Sequence, residues 1–241
     1  MRLAAEAGLA PHVYHLDDTA GVLITDFIEA RPLELYPGGR AALVLAVSVL
    51  LRRLHDGPVP PAFVPYIDIV DRLFAHVRRS GLFAAGVLDR HAERLQWLRA
   101  NYEVFPDGAR ACHNDSLPSN LLFDGRRLWL IDWESAYPGD PLIDIAIQLD
   151  NLASAPELGE LLLRSWLGRE PDTALRARLA QARALNRLYY AGVLLSAAAT
   201  QPRLAADSSL TVPAGAALSP HNRGKLYLQG FLTGAQVPPM P

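Results

Sequence analysis

The sequence predicts an α+β fold with a small strand-containing start and a larger, mainly helical body. Two short apolar runs, 12–16 and 21–28, flank a polar turn and predict a β-hairpin. After residue 40, apolar residues recur at helical spacing over most of the chain. One further strand pair, at 120–123 and 128–131, interrupts the helices, because Asp-Gly between two apolar runs is typical of a hairpin turn.

The remaining elements follow from helix-forming residues and stop signals. Residues 1–11 predict the end of a helix, because Ala and Leu favour helix whereas Gly8 and Pro11 end it. Asp140 is predicted to cap a helix whose first residue is Pro141. Residues 109–112 are predicted as a strand and 200–220 as a surface loop. The other helices are predicted at 40–57, 66–80, 88–103, 157–168, 172–199 and 221–234.

Composition excludes several classes of function. The 241 residues carry a formal net charge of −2, so no strong field favours nucleic acid or an anionic membrane. Cys112 is the single cysteine, which excludes an intrachain disulfide. The longest apolar run, 41–51, is shorter than the ~20 residues that a spanning helix needs, and no signal peptide is evident. We therefore expect a cytoplasmic protein with a small-molecule partner. The sequence does not indicate an oligomeric state.

Polar side chains gather at one end of the predicted 120–131 hairpin. Asn120 begins one strand, Asp132 follows its partner, and Asp115 lies in the adjoining loop. Carboxylate and amide oxygens are ligands suited to Mg²⁺, which prefers one or two carboxylates together with substrate phosphates. The pattern His113-x-Asp115-x₄-Asn120, followed by Asp132, matches the template for phosphoryl transfer.

Two other interpretations of these residues compete with phosphoryl transfer. Taken singly, an Asp in a loop or an Asn at a strand start is more often a turn or capping residue. A zinc site at Cys112, His113 and Asp115 would lack both the usual ligand spacing and a fourth ligand. The joint occurrence of three residues at the template spacing favours phosphoryl transfer.

The stretch "HNDSLPSNLLFDGRRLWLIDWESAYPGDPLIDIA" (113–146) resembles the aminoglycoside phosphotransferase and choline kinase superfamily, which has a protein-kinase-like fold. The His-Asn-Asp form, "RLHDGP" (53–58) and "GREPDTALRARL" (168–179) look most like the bacterial choline/ethanolamine kinase-type members. The resemblance runs from residue 1 to about 200. It implies an ATP- and Mg²⁺-dependent phosphotransferase acting on a hydroxyl of a small molecule. A choline- or ethanolamine-like acceptor is implied first, and an aminoglycoside is the alternative.

The resemblance also implies roles for individual residues. Asp115 would be the catalytic base, His113 would brace its loop, and Asn120 and Asp132 would bind Mg²⁺. Asp144 would anchor the loop through backbone amides, although a first-turn carboxylate favoured by the helix dipole is an equal alternative. Backbone near Phe27 and Ile28, in the hinge segment 24–33, would hold adenine.

The acceptor residues are less clearly indicated. A quaternary ammonium group binds aromatic faces and carboxylates, and Trp133, Glu134, Tyr189 and Tyr190 are the candidates, with Trp166 more remote. Aromatic residues at helical spacing are more often core residues. The pair Tyr189-Tyr190 stands where a Trp is expected in the late helix, which weakens choline in particular.

The sequence departs from the family in its upper lobe. Residues 1–33 are interpreted as a truncated N-lobe of hairpin, partial helix and hinge, and 34–241 as the helical C-lobe. The chain has no Gly-rich phosphate loop, and its single lysine, Lys225, lies near the other end, so Glu6 has no lysine to pair with. This predicts a fragment, a truncated gene model or a member lacking the upper lobe. A catalytically incompetent binding module is therefore the alternative to an enzyme.

Overall fold

The computed structural model describes residues 1–61, 63–102, 108–202 and 205–240. These residues form short strands and longer helices in the predicted order, which confirms the α+β class. The helices are α1 (Arg2–Glu6), α2 (Gly39–His55), α3 (Tyr66–Arg79), α4 (Asp89–Asn101), α5 (Leu142–Asn151), α6 (Pro156–Leu167), α7 (Thr173–Ala199) and α8 (Pro220–Thr233). The strands are β1 (Val13–Asp17), β2 (Val22–Thr25), β3 (Arg110–Cys112), β4 (Leu121–Phe123), β5 (Leu128–Leu130) and β6 (Tyr137–Gly139). Position 103 of the helix predicted at 88–103 and positions 203–204 of the loop predicted at 200–220 lie outside the described residues.

The strands pair into three antiparallel two-stranded sheets, β1–β2, β3–β6 and β4–β5. Both predicted hairpins are present. The β4–β5 pair has Leu121 opposite Leu130 and Phe123 opposite Leu128. Its turn is closed by Asp124, whose Oδ1 accepts the backbone N–H groups of Arg126 and Arg127 at 2.8 and 2.9 Å. The turn residue Gly125 has φ 94°, a conformation that favours glycine.

The pairing of β3 with β6 was not predicted. It sets Ala111 opposite Pro138 and Cys112 opposite Tyr137. A proline has no N–H to give to a ladder, so it is tolerated only at an edge or a strand end. The two-stranded sheet satisfies that condition, and it ties both ends of the 113–136 segment together.

Helix α5 lies in the core, since each of its ten residues is buried. It begins at Leu142, one residue after the predicted start. The reason is a tight turn: the carboxylate of Asp140 accepts the N–H of Leu142 at 2.9 Å, and its backbone carbonyl accepts the N–H of Ile143 at 3.0 Å. Asp140 therefore supplies a side-chain acceptor at this end, but the N-cap position is Pro141, one residue later than predicted.

The chain divides into two compact units by its packing. The first unit combines the described residues within 1–62, 107–172 and 240–241, and contains β1–β6 with α1, α2, α5 and α6. The second combines those within 63–106 and 173–239, and contains α3, α4, α7 and α8. This grouping does not test the predicted boundary between 1–33 and 34–241, which stays a prediction.

Within the described ranges, none of the helices has the length and apolar character needed to cross a lipid bilayer.

Candidate active site

The loop between β3 and β4 is compact and held by its own backbone. Pro118 begins a 3₁₀ turn, Pro118–Asn120, that leads directly into β4. The N–H of Leu117 donates to the carbonyl of Asp115 at 2.8 Å, and the N–H of Asn120 donates to that of Leu117 at 2.9 Å. This places the Asp115 and Asn120 side chains, five residues apart in sequence, next to each other.

Asn120 contacts Asp115 through its side-chain amide. Its Nδ2 donates to the backbone oxygen of Asp115 at 2.8 Å and to the Oδ2 atom of Asp115 at 3.2 Å. Because both partners are acceptors, the nitrogen of the amide must face them. The Oδ1 atom of Asn120 consequently points away from Asp115 and is the atom of this side chain that can coordinate a cation.

Asp132 follows β5 at the same end of the hairpin as Asn120. The N–H of Ile131 donates to the backbone oxygen of Asn120 at 3.1 Å, so the backbone preceding Asp132 is tied directly to Asn120. Asp132 is exposed and has φ 62°, a left-handed conformation that Asp tolerates better than bulky residues. The structure therefore places Asn120 and Asp132 at one end of β4–β5, as the sequence predicts.

His113 is fully buried and joins its loop to the segment after β5. Its Nε2 lies 2.9 Å from the carbonyl oxygen of Ile131, which can only accept, so this nitrogen carries the proton. The ring also lies against Trp133, with 4.8 Å between ring centroids. These contacts connect the two segments that carry Asp115 and Asp132.

The carboxylate of Asp144, on α5, forms hydrogen bonds to the backbone of the same loop through both of its oxygen atoms. Oδ2 accepts the backbone N–H of His113 and Oδ1 accepts that of Asn114, each at 2.9 Å. Burial raises the pKa of this fully buried carboxyl. The hydrogen bonds from His55 and from the His113 backbone outweigh burial, however, and hold the pKa of Asp144 below its ordinary value.

Asn114, which lies between His113 and Asp115 in the sequence, has a strained backbone conformation. It has φ 62°, and its side-chain Nδ2 donates to the backbone oxygens of Ser135 and Tyr137 at 3.0 and 3.3 Å. A left-handed residue with buried amide contacts turns the chain sharply just before Asp115.

Two residues that support this loop were missed from the sequence. Gln148 lies one turn after Asp144 on α5, and its Nε2 donates to the backbone oxygen and the Oγ atom of Ser116. His55, the last residue of α2, contacts Asp144 with 3.1 Å between Nε2 and Oδ2. Asp144 and Gln148 are the polar residues of the apolar run Leu142–Leu149, and their i, i+4 spacing was a usable signal. The partner of His55 is 89 residues away, and no local pattern indicates it.

His55, Cys112 and Asp144 form a buried group whose potential ligand atoms lie within 4.8 Å of one another. The donor set could suggest a metal centre. However, each polar atom of His55 and Asp144 is engaged in a hydrogen bond of a protein network. Burial raises the pKa of the Cys112 thiol well above its ordinary value, which disfavours the thiolate that a metal needs. The group is a hydrogen-bond network.

The predicted hinge lines an open cleft. Phe27, Ile28, Glu29, Ala30 and Arg31 line it together with Asp124, and its volume is about 340 Å³. Phe27 is 91% exposed, so its side chain is not part of the core. The N–H of Arg31 donates to the carbonyl of Phe123 at 2.7 Å, which fixes the cleft against the end of β4.

The four acceptor candidates are divided between the two units. In the first unit, Glu134 is exposed, and half-buried Trp133 donates its indole N–H to the Leu130 carbonyl at 2.9 Å. In the second unit, Tyr190 is buried, whereas Tyr189 is half-buried and packs against Tyr66 with 5.4 Å between ring centroids. Of the two tyrosines, Tyr189 is therefore the one whose side chain is partly exposed.

Comparison with known proteins identifies this architecture. Residues 1–189 match the family model described as the phosphotransferase enzyme family. Two proteins named LicA from Haemophilus influenzae are similar in sequence: one is 28% identical over 172 residues and the other 40% identical over 169. Each match covers 68% of this chain. The chain spans 62% and 49% of the lengths of these two relatives.

Solved structures show the same fold. A choline/ethanolamine kinase family protein from Mesorhizobium loti matches with a TM-score of 0.71 and 25% identity, covering 84% of this chain and 70% of that one. The choline kinase LicA from Streptococcus pneumoniae matches with a TM-score of 0.69 and 18% identity over 97% and 76% of the two chains. A structure of LicA in complex with AMP matches with a TM-score of 0.67, 17% identity and coverage of 95% and 76%.

Proposed function

The chain belongs to the phosphotransferase enzyme family, and from this premise we propose that it transfers the γ-phosphoryl group of ATP to a hydroxyl of a small, choline- or ethanolamine-like acceptor. The proposal rests on two contacts of Asn120. Its side chain contacts Asp115, and its backbone oxygen accepts the N–H of Ile131, the residue before Asp132. These are the residue types that phosphoryl transfer requires, at the spacing of its template.

Asp115 is the proposed catalytic base. It is half-buried, and the donated Nδ2–H of Asn120 at 3.2 Å orients its carboxylate. A carboxylate held in this way can accept or orient the proton of an attacking hydroxyl. Its loop is fixed on both sides, by His113 at the Ile131 carbonyl and by Asp144 at the backbone amides. We propose bracing and anchoring as the roles of these two residues.

Asn120 and Asp132 are the proposed ligands of Mg²⁺. The Oδ1 atom of Asn120 is turned away from Asp115, and the Asp132 carboxylate is exposed, so both present hard oxygen atoms. When bound, Mg²⁺ neutralises negative charge on the phosphate groups of the nucleotide.

The hinge cleft is the proposed nucleotide site. Its volume of about 340 Å³ falls in the range of small-ligand pockets, about 300–1,000 Å³. Backbone groups near Phe27 and Ile28 would hold adenine. The structural similarity to LicA in complex with AMP supports a nucleotide here.

The acceptor class is proposed from the relatives and from the aromatic residues. Proteins described as choline or choline/ethanolamine kinases are similar in fold over most of the chain. A cationic head group could bind Trp133 with Glu134 in the first unit, or Tyr189 with Tyr190 in the second. Single substitutions Glu134→Gln and Tyr189→Leu distinguish these sets, because loss of an acceptor contact raises KM for the acceptor more than it lowers kcat.

A phosphorylation assay tests the proposal. The chain is incubated with ATP, Mg²⁺ and, separately, choline, ethanolamine, thiamine or an aminoglycoside, and the phosphorylated product is measured by mass spectrometry. We expect product with choline or ethanolamine, and a loss of at least about a thousandfold in Asp115→Asn. Asp18→Asn, an exposed carboxylate in the β1–β2 turn, is the matched control and should keep full activity.

The other outcomes of this assay contradict the proposal in different ways. Product with an aminoglycoside alone would replace the acceptor class while keeping the reaction. Unchanged turnover in Asp115→Asn would remove the proposed base. Absence of product with every acceptor would overturn the enzyme and leave a kinase-like binding module, the alternative that the sequence raises.

A further inference from the structure

A continuous chain of hydrogen bonds runs from α6 to the loop that carries Asp115. The indole Nε1 of Trp166 donates to Nδ1 of His55 at 2.9 Å. The Nε2 atom of His55 lies 3.1 Å from Oδ2 of Asp144, and the Asp144 carboxylate accepts the N–H groups of His113 and Asn114. All of these side chains are buried, with Trp166 the most accessible at 6%. The chain therefore links three helices and a loop within the first unit.

Trp166 decides which nitrogen of His55 carries the proton. An indole N–H can only donate, so Nδ1 of His55 must present its lone pair to it. A neutral imidazole then has its one N–H at Nε2, directed at Asp144. A doubly protonated ring would set two N–H groups against each other at 2.9 Å. The geometry thus selects one neutral tautomer of His55.

The tautomer matters because of what Asp144 must do. Its Oδ2 accepts from both His55 and the His113 backbone, while Oδ1 accepts from Asn114. If the proton moved to Nδ1, the lone pair of Nε2 would face a carboxylate oxygen at 3.1 Å, and the two would repel. A displaced Asp144 would release the amides of His113 and Asn114, the two residues that immediately precede Asp115.

We infer that Trp166 is a positioning residue, which fixes the backbone of residues 113–115 by holding His55 in the tautomer that donates to Asp144. The inference rests on the proposed function only in that this backbone carries the proposed catalytic base. Trp166 belongs to α6 and acts through two buried side chains. The sequence made it a remote acceptor candidate, but it is buried, and none of the contacts proposed with nucleotide, metal or acceptor uses it.

Three side chains surround His55, and their charges and hydrogen-bonding groups are consistent with this role. Asp144 approaches it from α5, Cys112 from β3, and Trp166 from α6. The pKa of Cys112 is raised by burial, so the thiol is neutral, and the pKa of Asp144 is lowered, so the carboxylate is ionised near neutral pH. The Asp144 carboxylate accepts at Nε2 and the indole N–H of Trp166 donates at Nδ1, so both neighbours favour the same neutral tautomer of His55. The substitution Trp166→Phe removes the donor at Nδ1 but keeps an aromatic ring.

Long-range ¹H–¹⁵N NMR of the histidine rings tests the inference without any assay of activity. The His55 signals are assigned by their loss in His55→Gln. In the wild-type chain near neutral pH we expect the ¹⁵N shifts and couplings of a ring that carries its proton at Nε2 and a lone pair at Nδ1. A His55 ring that carries its proton at Nδ1, or at both nitrogens, would overturn the inference.

Variants then separate positioning from packing. In Trp166→Phe, we expect a measurable fraction of His55 rings with the proton at Nδ1, and we expect the amide protons of His113 and Asn114 to exchange at least about tenfold faster. Trp129→Phe is the matched control, because Trp129 also lies in the first unit and also loses an indole bond, at 2.8 Å to Asp124. His55→Gln keeps a donor for Asp144 and should protect these amides better than His55→Leu. Equal exchange in Trp166→Phe and Trp129→Phe would contradict the inference.

Phosphotransferase activity and this positioning fail independently. If the NMR results are as expected but no acceptor is phosphorylated, the positioning stands and the proposed function falls. If phosphorylation occurs while His55 of the wild-type chain carries its proton at Nδ1, the proposed function stands and the role of Trp166 falls.

Discussion

Asp144 shows how a single buried carboxylate can be stabilised by what surrounds it. Taking a carboxylate out of water costs several kcal/mol unless hydrogen bonds replace the lost hydration. Three N–H groups, from His55, His113 and Asn114, replace it here. The sequence left two roles open for Asp144: it either anchors the loop, or it is only a first-turn carboxylate that the helix dipole favours. The contacts with two backbone amides are a direct physical basis for the anchor.

The substitution Asp144→Asn tests the energetics of this residue. An amide has one acceptor oxygen, so its NH₂ group would face an N–H donor, and we expect a loss of about 3 kcal/mol in the free energy of unfolding. Because the folded pKa of Asp144 is depressed, its contribution to stability is present above the unfolded value of about 3.9 and is lost as the pH falls through the folded pKa. Urea denaturation at neutral and acidic pH measures both effects. Asp18→Asn is the exposed control, and an Asp144→Asn chain as stable as that control would contradict the account.

Elements with local signals could be predicted from the sequence, and elements that depend on distant partners could not. Helical spacing predicted α2 to α4 and α6 to α8, because it records which face of a helix is buried. The Asp140-Pro141 pair predicted α5, and Asp-Gly predicted the β4–β5 turn. The β3–β6 pair escaped prediction, since its partners are separated by the whole hairpin and include Pro138. The contact between His55 and Trp166 spans 111 residues and likewise has no local pattern.

Helix α4 carries a buried histidine that should make the stability of the chain depend on pH. The ring of His91 lies between Phe74 and Phe231, and its Nε2 donates to the Leu228 carbonyl of α8 at 3.2 Å. Burial lowers the pKa of His91 to about 4, and the charges of Arg90 and Arg94 act in the same direction. A neutral His91 therefore belongs to the folded chain, and protonation favours unfolding.

The sign of this effect sets the expected measurement. The contribution of His91 is complete above the unfolded pKa of about 6.5 and is lost as the pH falls towards about 4, for a total of about 3 kcal/mol. Thermal or urea unfolding across this range should show the loss in the wild-type chain and a flatter profile in His91→Gln, whose amide can still donate to Leu228. His76→Gln, an exposed histidine on α3, should keep the wild-type profile. Identical profiles for both variants would contradict the buried neutral ring.

At the scale of the whole molecule, the residues proposed for chemistry collect in one packing unit. Asp115, Asn120 and Asp132 lie in the first unit, and so does the hinge cleft at Phe27 and Ile28. The family resemblance was readable because most of its residues occupy short stretches, chiefly 113–146 and 53–58. Trp166 lies outside these stretches, and only folding brings it to His55.

The metal dependence of phosphoryl transfer tests the central claim most directly, that Asp115, Asn120 and Asp132 form one phosphoryl-transfer site. Turnover is measured against Mg²⁺ concentration at saturating ATP and acceptor, for the wild-type chain, Asp132→Asn and the control Asp18→Asn. We predict that turnover requires Mg²⁺, falls at least about a hundredfold in Asp132→Asn, and is unchanged in Asp18→Asn. Wild-type turnover in Asp132→Asn, or turnover that persists when divalent cations are chelated, would contradict the account.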